Sequence, residues 1–259
     1  MSCWMKSLVG GLDIMKRNKD ILDNLTINIP TWERQDNLAR LLACLVNQDY
    51  KFDLAFNKNG LKSQSVLQIL DILELRHDIR VVEDTPLVET RQTMLEKSRQ
   101  FCLFIDDDVI LTNQVIQKLS CLDNYPTYSF CSPCIYELRN YRGVKNWVRD
   151  FPGERPAKHP YGTYENLDNN LDNNLDNSLG NTELQLIDTT CILLRTQDAL
   201  KSGGFVGAPC PGEHLALSRR LESHGYKGLL APSAVVYHCP SLLNAPFANQ
   251  AEKLLKEML

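Results

Sequence analysis

Phe101-Cys-Leu-Phe-Ile-Asp-Asp-Asp-Val109 joins five apolar residues directly to three carboxylates. An apolar run of this kind is typical of a strand whose two faces are both covered. Three acids at its end are unfavourable unless something neutralises them, and Mg²⁺ or Mn²⁺ does so by joining carboxylates to substrate phosphates. In an extended chain Asp106 and Asp108 share one side and Asp107 faces the other. We therefore predict a cation site here, the alternative being solvated acids that cap the next helix.

Strand-like and helix-like segments alternate on the N-terminal side of this stretch. The predicted strands are 25–30, 52–56, 79–82 and 101–105, and the predicted helices are 36–48, 65–75 and 90–99. This alternation predicts an α/β fold with a mostly parallel central sheet flanked by helices. Ligands of such sheets bind at the carboxyl ends of the strands, so the residues after Ile29, Phe56 and Ile105 are the first candidates for a site.

The C-terminal half returns to the same pattern after a different kind of segment. A repeat that begins Asn166-Leu-Asp-Asn lies within residues 149–183, and its composition predicts an exposed, low-complexity Asn/Asp-rich insertion. The predicted elements beyond it are a strand at 184–194, helices at 197–202 and 214–224, strands at 228–231 and 234–237 on either side of Pro232, and an amphipathic helix at 250–259.

These segments predict one domain built from two halves. The predicted units are an N-terminal segment (1–24), a first half (25–120), a connecting region with the insertion (121–183), a second half (184–245) and a C-terminal helix (246–259).

The composition excludes several classes of protein. The 259 residues are 43% hydrophobic and 23% charged, as in ordinary globular chains. A net charge of −4 argues against a general nucleic-acid binder. No apolar run approaches the roughly 20 residues of a membrane span, and the N-terminus lacks the features of a signal peptide. Nine scattered cysteines are typical of reduced thiols. We predict a cytoplasmic protein, with peripheral attachment to a membrane as the alternative.

Three further residues have both a chemical and a structural interpretation. Glu213 stands at a predicted helix start, where a carboxylate acts as a general base or simply as a partner of the helix dipole. His238 follows an apolar strand, where a neutral imidazole binds a transition ion or only makes a hydrogen bond. Arg91 is a candidate contact for a diphosphate, or an exposed surface arginine.

Some common enzyme motifs are absent from the sequence. There is no GxGxxG or P-loop pattern, which disfavours Rossmann dehydrogenases and Walker-type NTPases. There is no Gly-x-Ser-x-Gly elbow, which argues against an α/β-hydrolase.

Four segments, in this order, resemble the family 2 glycosyltransferases of GT-A fold. Leu25-Thr-Ile-Asn-Ile-Pro-Thr-Trp-Glu-Arg34 is similar to the opening strand of that family, and the Phe101–Asp108 segment to its DxD metal site. The segment 200–226, with Gly203-Gly-Phe205 and Gly212-Glu-His214, is similar to the acceptor-side segment. The segment 232–238 is similar to the closing strand with its metal-binding histidine.

The resemblance implies a role for each matching residue. The residues implied to contact the nucleotide are Pro30, Thr31, Glu33, Asn57, Arg91 and Asp106, with Asn57 in a position where the family often has an aspartate. Asp106 and Asp108 would hold Mn²⁺ or Mg²⁺, and His238 would complete the metal site. Glu213 would be the catalytic base of an inverting reaction.

The resemblance thus implies a hexosyltransferase-type enzyme that uses a nucleotide-diphosphate sugar as donor. It makes residues 25–120 the nucleotide-binding half of a single GT-A domain and residues 184–245 its acceptor-side half. The acceptor (glycan, lipid, protein or nucleobase), the sugar, the base, the stereochemical outcome and the oligomeric state stay open. A nucleotidyltransferase of similar sheet architecture is one alternative, although Thr31-Trp-Glu-Arg34 lacks the Gly-rich basic loop expected there. A catalytically inactive module that binds sugar nucleotides or glycans is the other.

Overall fold

The computed structural model describes residues 21–31, 35–46, 53–57, 78–80, 86–137, 182–184, 189–210 and 212–238. In chain order the elements are β1 (Leu25–Ile29), α1 (Gln35–Val46), β2 (Asp53–Asn57), β3 (Asp78–Arg80), α2 (Leu87–Glu96), β4 (Phe101–Ile105), β5 (Val109–Leu111), α3 (Val115–Leu119), a 3₁₀ turn (Ser120–Asn124), β6 (Tyr128–Glu137), β7 (Thr182–Leu184), β8 (Cys191–Arg195), α4 (Thr196–Lys201), α5 (Glu213–Ser223) and β9 (Lys227–His238).

The strands of the described residues form one sheet in the order β3-β2-β1-β4-β8-β6-β9-β5, with β7 paired to β9. The strands β3, β2, β1 and β4 are parallel to one another. The strand β8 is antiparallel to both β4 and β6, while β6 and β9 are parallel. Consequently β1, β2, β4, β6 and β9 all run in the same direction, and their carboxyl ends meet at one edge of the sheet.

The central strand β4 has the bounds predicted from its sequence, and all five of its residues are buried. Phe101, Leu103 and Ile105 belong to the core on one face of the sheet, whereas Cys102 and Phe104 belong to the core on the other. This division is the alternation expected of a strand that is covered on both sides.

Helices cover the two faces of the sheet. Leu38, Leu41, Leu42 and Leu45 of α1, together with residues of α3, pack into the same core as Phe101 and Leu103. The apolar residues of α2, α4 and α5 pack into the core that contains Phe104. The helices α2 and α5 therefore lie on the same face of the sheet, which brings their side chains within reach of one another.

The two predicted helices that bear on candidate site residues begin earlier than expected. The helix predicted at 90–99 is α2, Leu87–Glu96, because Pro86 occupies its N-cap position and the chain must turn after Glu96 to enter β4. The helix predicted at 214–224 begins at Glu213, directly after Gly212. Arg91 therefore lies in the second turn of α2 rather than at its start, and Glu213 is the first residue of α5 rather than the residue before it.

The two strands predicted around Pro232 are one continuous strand, β9, so that prediction was wrong. The pairing with β6 shifts register between Pro133 and Cys134, which pair with Ala231 and Val235. Pro232 falls in this irregularity, where its missing N–H group does not interrupt a ladder of hydrogen bonds.

The strand predicted at 184–194 is divided between β7 and β8, with Thr189 and Thr190 in a turn before β8. The predicted helices at 65–75 and 250–259, the Asn/Asp repeat and Glu33 lie outside the described residues.

Candidate functional site

The topology brings distant parts of the chain to one edge of the sheet. Pro30 and Thr31 follow β1, and the three aspartates follow β4. The strand β9 runs parallel to β4, so its last residue, His238, reaches the same edge. The helix α5 ends only a few residues before β9 begins, and its 11 residues, at about 1.5 Å each, return its N-terminus to that edge.

Arg91 connects Asp106 with Glu213. Its Nη2 donates to Asp106 Oδ1 at 2.6 Å, and its Nη1 donates to Glu213 Oε1 at 3.1 Å. The Arg91 side chain is only 3% exposed, which excludes the interpretation of an exposed surface arginine. The second carboxylate oxygen of Glu213 accepts the Gly212 N–H at 3.0 Å. Both oxygens of Glu213 are therefore already hydrogen-bonded inside the protein.

The middle aspartate, Asp107, has a different partner. It is fully buried, and its Oδ2 accepts a hydrogen bond of 2.6 Å from Thr31 Oγ1. This bond ties the turn after β4 to the end of β1. Residues 106–108 lie in a turn, with Val109 N donating to Asp106 O, so the extended geometry assumed for the sequence prediction was wrong.

Asp108 lies beside His238. Asp108 Oδ1 and His238 Nε2 are 3.4 Å apart, and Val109 pairs with His238 in the ladder between β5 and β9. The Asp108 side chain is buried, while 22% of the His238 side chain is exposed. The pair thus presents a carboxylate oxygen and an imidazole nitrogen next to each other at a partly open position.

Negative charge exceeds positive charge at this edge. Burial, opposed by the Arg91 guanidinium and reinforced by the Asp108 carboxylate, raises the pKa of Asp106 to about 7. The raised pKa means that the surrounding protein groups do not fully compensate an ionised Asp106. A divalent cation would supply the missing positive charge.

The donor set is suited to a cation that is shared with a ligand. Within the described ranges, no group of three His, Cys, Asp or Glu side chains stands ready to hold an ion alone. Asp108 and His238 provide two donors, and Asp106 lies two residues before Asp108 in the same turn. Mg²⁺ and Mn²⁺ are commonly held by one or two carboxylates with the remaining positions taken by phosphates and water, so these residues fit such an ion.

The loop between α4 and α5 is held from two sides. Gln92 Oε1 on α2 accepts the Phe205 N–H at 2.7 Å. Arg220 on α5 donates to the carbonyl oxygens of Gly204 and Val206 at 2.7 and 2.6 Å. This fixed loop leads into Gly212 and thus positions the start of α5.

The structure brings together most of the residues singled out in the sequence. Arg91, Asp106 and Glu213 form one connected group, and Asp108 and His238 form a second beside it. Pro30 and Thr31 are buried at the end of β1, and Asn57 ends β2 at the same edge.

Three contributors were not identified from sequence. The contact between Thr31 and Asp107 joins residues 76 positions apart, and nothing local signals it. The carbonyl of Thr190, in the turn before β8, accepts the Asp106 N–H at 2.9 Å. Gln92, the residue after Arg91, accepts the Phe205 N–H. The only sequence signal for this contact is the Gly203-Gly204 pair just before Phe205, since glycines allow a backbone to approach a helix closely.

The fold is similar to that of GalNAc-T7, solved with UDP, GalNAc and Mn²⁺. The TM-score is 0.58 at 15% sequence identity, over 85% of this chain and 43% of the GalNAc-T7 chain. The chain therefore has a GT-A-like fold, confirming the predicted fold class, and it spans less than half the length of the structure it matches. No protein-family model and no curated protein sequence matches it. Across the described residues, no helix is long and apolar enough to cross a membrane.

Proposed function

We propose that this protein is a divalent-cation-dependent glycosyltransferase that moves a sugar from a nucleotide-diphosphate sugar to an acceptor hydroxyl, with inversion. The observation that carries the proposal is the set of contacts made by residues 106–108, which we call the aspartate turn. Asp108 lies beside His238, and Asp106 is linked through Arg91 to Glu213. The similarity to GalNAc-T7, which binds UDP and Mn²⁺, supports the choice of donor and cation.

On the donor side, Asp108, His238 and Asp106 would hold Mn²⁺ or Mg²⁺, which neutralises charge on a departing diphosphate as a Lewis acid. Asp107 and Thr31 hold the aspartate turn against the end of β1, so the carboxylates are oriented before any ligand arrives. Pro30, Thr31, Glu33 and Asn57 are the proposed neighbours of the nucleotide, while the Arg91 guanidinium is held by Asp106 and Glu213.

On the acceptor side, Glu213 is the proposed general base. Its carboxylate would accept the proton of the acceptor hydroxyl as that oxygen attacks the anomeric carbon. Each carboxylate oxygen has two lone pairs, so a further hydrogen bond is compatible with the contacts to Arg91 and Gly212. In this role Glu213 would face the anomeric carbon from the side opposite the leaving group.

The decisive experiment compares Asp108→Asn with Asp123→Asn, a matched control in the 3₁₀ turn. The full chain is incubated with a panel of nucleotide sugars and Mn²⁺, and release of the nucleoside diphosphate is measured with and without EDTA. We expect Asp108→Asn and EDTA each to lower release at least about 100-fold, because the cation contributes several kcal/mol to charge stabilisation. Asp123→Asn should resemble the wild type.

Two results would count against the proposal. Equal release with and without EDTA would remove the cation from the reaction. Tight binding of a sugar nucleotide without any release would instead favour the inactive binding module. Thermal unfolding of each variant verifies that a loss of activity is not a loss of fold.

A further inference from the structure

Arg91 occupies an unusual position between the two halves of the site. Its guanidinium is almost completely buried, and it donates to a carboxylate from the β4 turn and to another from the first turn of α5. The shorter contact, 2.6 Å, is to Asp106, whose side chain is 25% exposed; the contact to the more buried Glu213 is 3.1 Å. One buried cation therefore serves two anions on different elements.

The chemistry of this arrangement favours an exchange. A guanidinium is planar and permanently charged, and its separate N–H groups can hold two carboxylates at once. Asp106 is the more exposed partner and lies in the aspartate turn, where a divalent cation is proposed to bind. Two positive centres close to one carboxylate repel each other, and this repulsion is strong where water is largely excluded.

We infer that Arg91 is a positioning residue that holds Glu213, and that Arg91 and a divalent cation compete for Asp106. When Asp106 turns to the cation, the buried guanidinium keeps Glu213 as its carboxylate partner at this junction. Occupation of the donor side thereby fixes the carboxylate on the acceptor side. This inference rests on the proposed function and concerns the same site.

The first test measures binding of Mn²⁺ alone by electron paramagnetic resonance, without any nucleotide. Because Arg91→Met removes the competing charge, we expect it to bind Mn²⁺ at least about threefold more tightly than the wild type. Arg91→Lys keeps the charge and should bind Mn²⁺ like the wild type. Arg99→Met is the matched control, since it removes the same charge from an exposed arginine that donates to Asp23 O. Unchanged or weaker binding in a folded Arg91→Met variant contradicts the competition.

The second test is a double-mutant cycle at saturating Mn²⁺, read as release of nucleoside diphosphate. Loss of a general base lowers turnover about 100- to 10,000-fold, so we expect Glu213→Gln to fall in that range. If Arg91 acts through Glu213, adding Arg91→Met to Glu213→Gln should lower turnover by less than about threefold more, because residues that act as a unit are not additive. The KM for the sugar nucleotide should change little in Arg91→Met.

The outcomes separate the two claims. An active wild type in which the two losses multiply, or in which Arg91→Met mainly raises the KM of the sugar nucleotide, overturns the positioning role and indicates a direct nucleotide contact. A wild type that releases no nucleoside diphosphate overturns the proposed function, and this inference with it. If Arg91→Met does not fold, Arg91→Gln, which also removes the charge but keeps a planar polar group, replaces it in both the Mn²⁺-binding test and the cycle.

Discussion

Gly204 gives the sharpest test of how the loop between α4 and α5 is held. Its φ of +54° is in the left-handed region, and a Cβ added there would lie 2.4 Å from Gln92 Oε1 and 3.1 Å from Leu95 Cδ2. The same Gln92 oxygen accepts the Phe205 N–H. Gly207 provides the matched control, because its φ is +61° and a Cβ there would meet nothing within 4 Å.

The two substitutions share one energetic term and differ in another. A left-handed conformation costs an L-residue about 1–2 kcal/mol, so Gly207→Ala should lower the free energy of unfolding by about that amount. Gly204→Ala has the same term. It must also displace Gln92, losing a hydrogen bond of about 0.5–1.5 kcal/mol, and overpack against Leu95 at about 1–3 kcal/mol. We expect Gly204→Ala to be the more destabilising by about 2–4 kcal/mol.

Urea unfolding at equilibrium measures both variants, with the m-value verifying that the unfolded states are comparable. Gly204→Ala should also lower nucleoside diphosphate release more than Gly207→Ala does, because Gln92 adjoins Arg91 and the loop leads to Glu213. Equal destabilisation by the two alanines would refute the reasoning, since only the backbone term would then be present.

Two further predictions concern the sheet and its carboxyl edge. Thr31→Val should lower the free energy of unfolding by about 1.5–3 kcal/mol, because Asp107 loses a charge-assisted hydrogen bond. Thr31→Ser keeps the hydroxyl and should retain most of that stability; a Ser variant as unstable as the Val variant would contradict the dominant role of the hydrogen bond. Gly228→Ala would place a Cβ 1.9 Å from the ring of buried Phe130, so it should lower the melting temperature. Phe130→Leu in the same chain should restore part of the loss, and the absence of any rescue would contradict a clash with the ring as the cause.

The sequence predicted the parallel half of the fold well because its signals are local. Five consecutive apolar residues define β4, and the periodic leucines of α1 define a helix within two residues of its observed ends. The strand β6, by contrast, was not predicted. Its run Tyr128–Glu137 contains Pro133, which is uncommon inside a strand, and a Cys-x-x-Cys spacing, which also occurs in metal motifs. Cys131 and Cys134 are instead both buried in the sheet, where desolvation raises the pKa of Cys134 to about 12.

The candidate site was predicted as a set of residues but not as a set of contacts. Asp106, Asp108, Glu213 and His238 each carry a local signal, namely acids after a strand, an acid at a helix start and a histidine at a strand end. The link from Arg91 to Glu213 spans 122 positions and depends on α2 and α5 packing on the same face. Sequence reasoning about single elements contains no information on which helices become neighbours, so Arg91 was assigned to the nucleotide alone.

The antiparallel strand β8 explains how two halves of the chain share one edge. It pairs with β4 on one side and with β6 on the other, in both cases antiparallel, so the direction of β4 is restored in β6 and passed on to β9. The two reversals cancel, so β9 ends at the same edge as β4, and the antiparallel pairing of Val109 with His238 places the histidine beside Asp108. The start of β8 also reaches the site, where the Thr190 carbonyl holds the Asp106 N–H. One strand of reversed direction therefore both joins the halves and fixes the first aspartate of the turn.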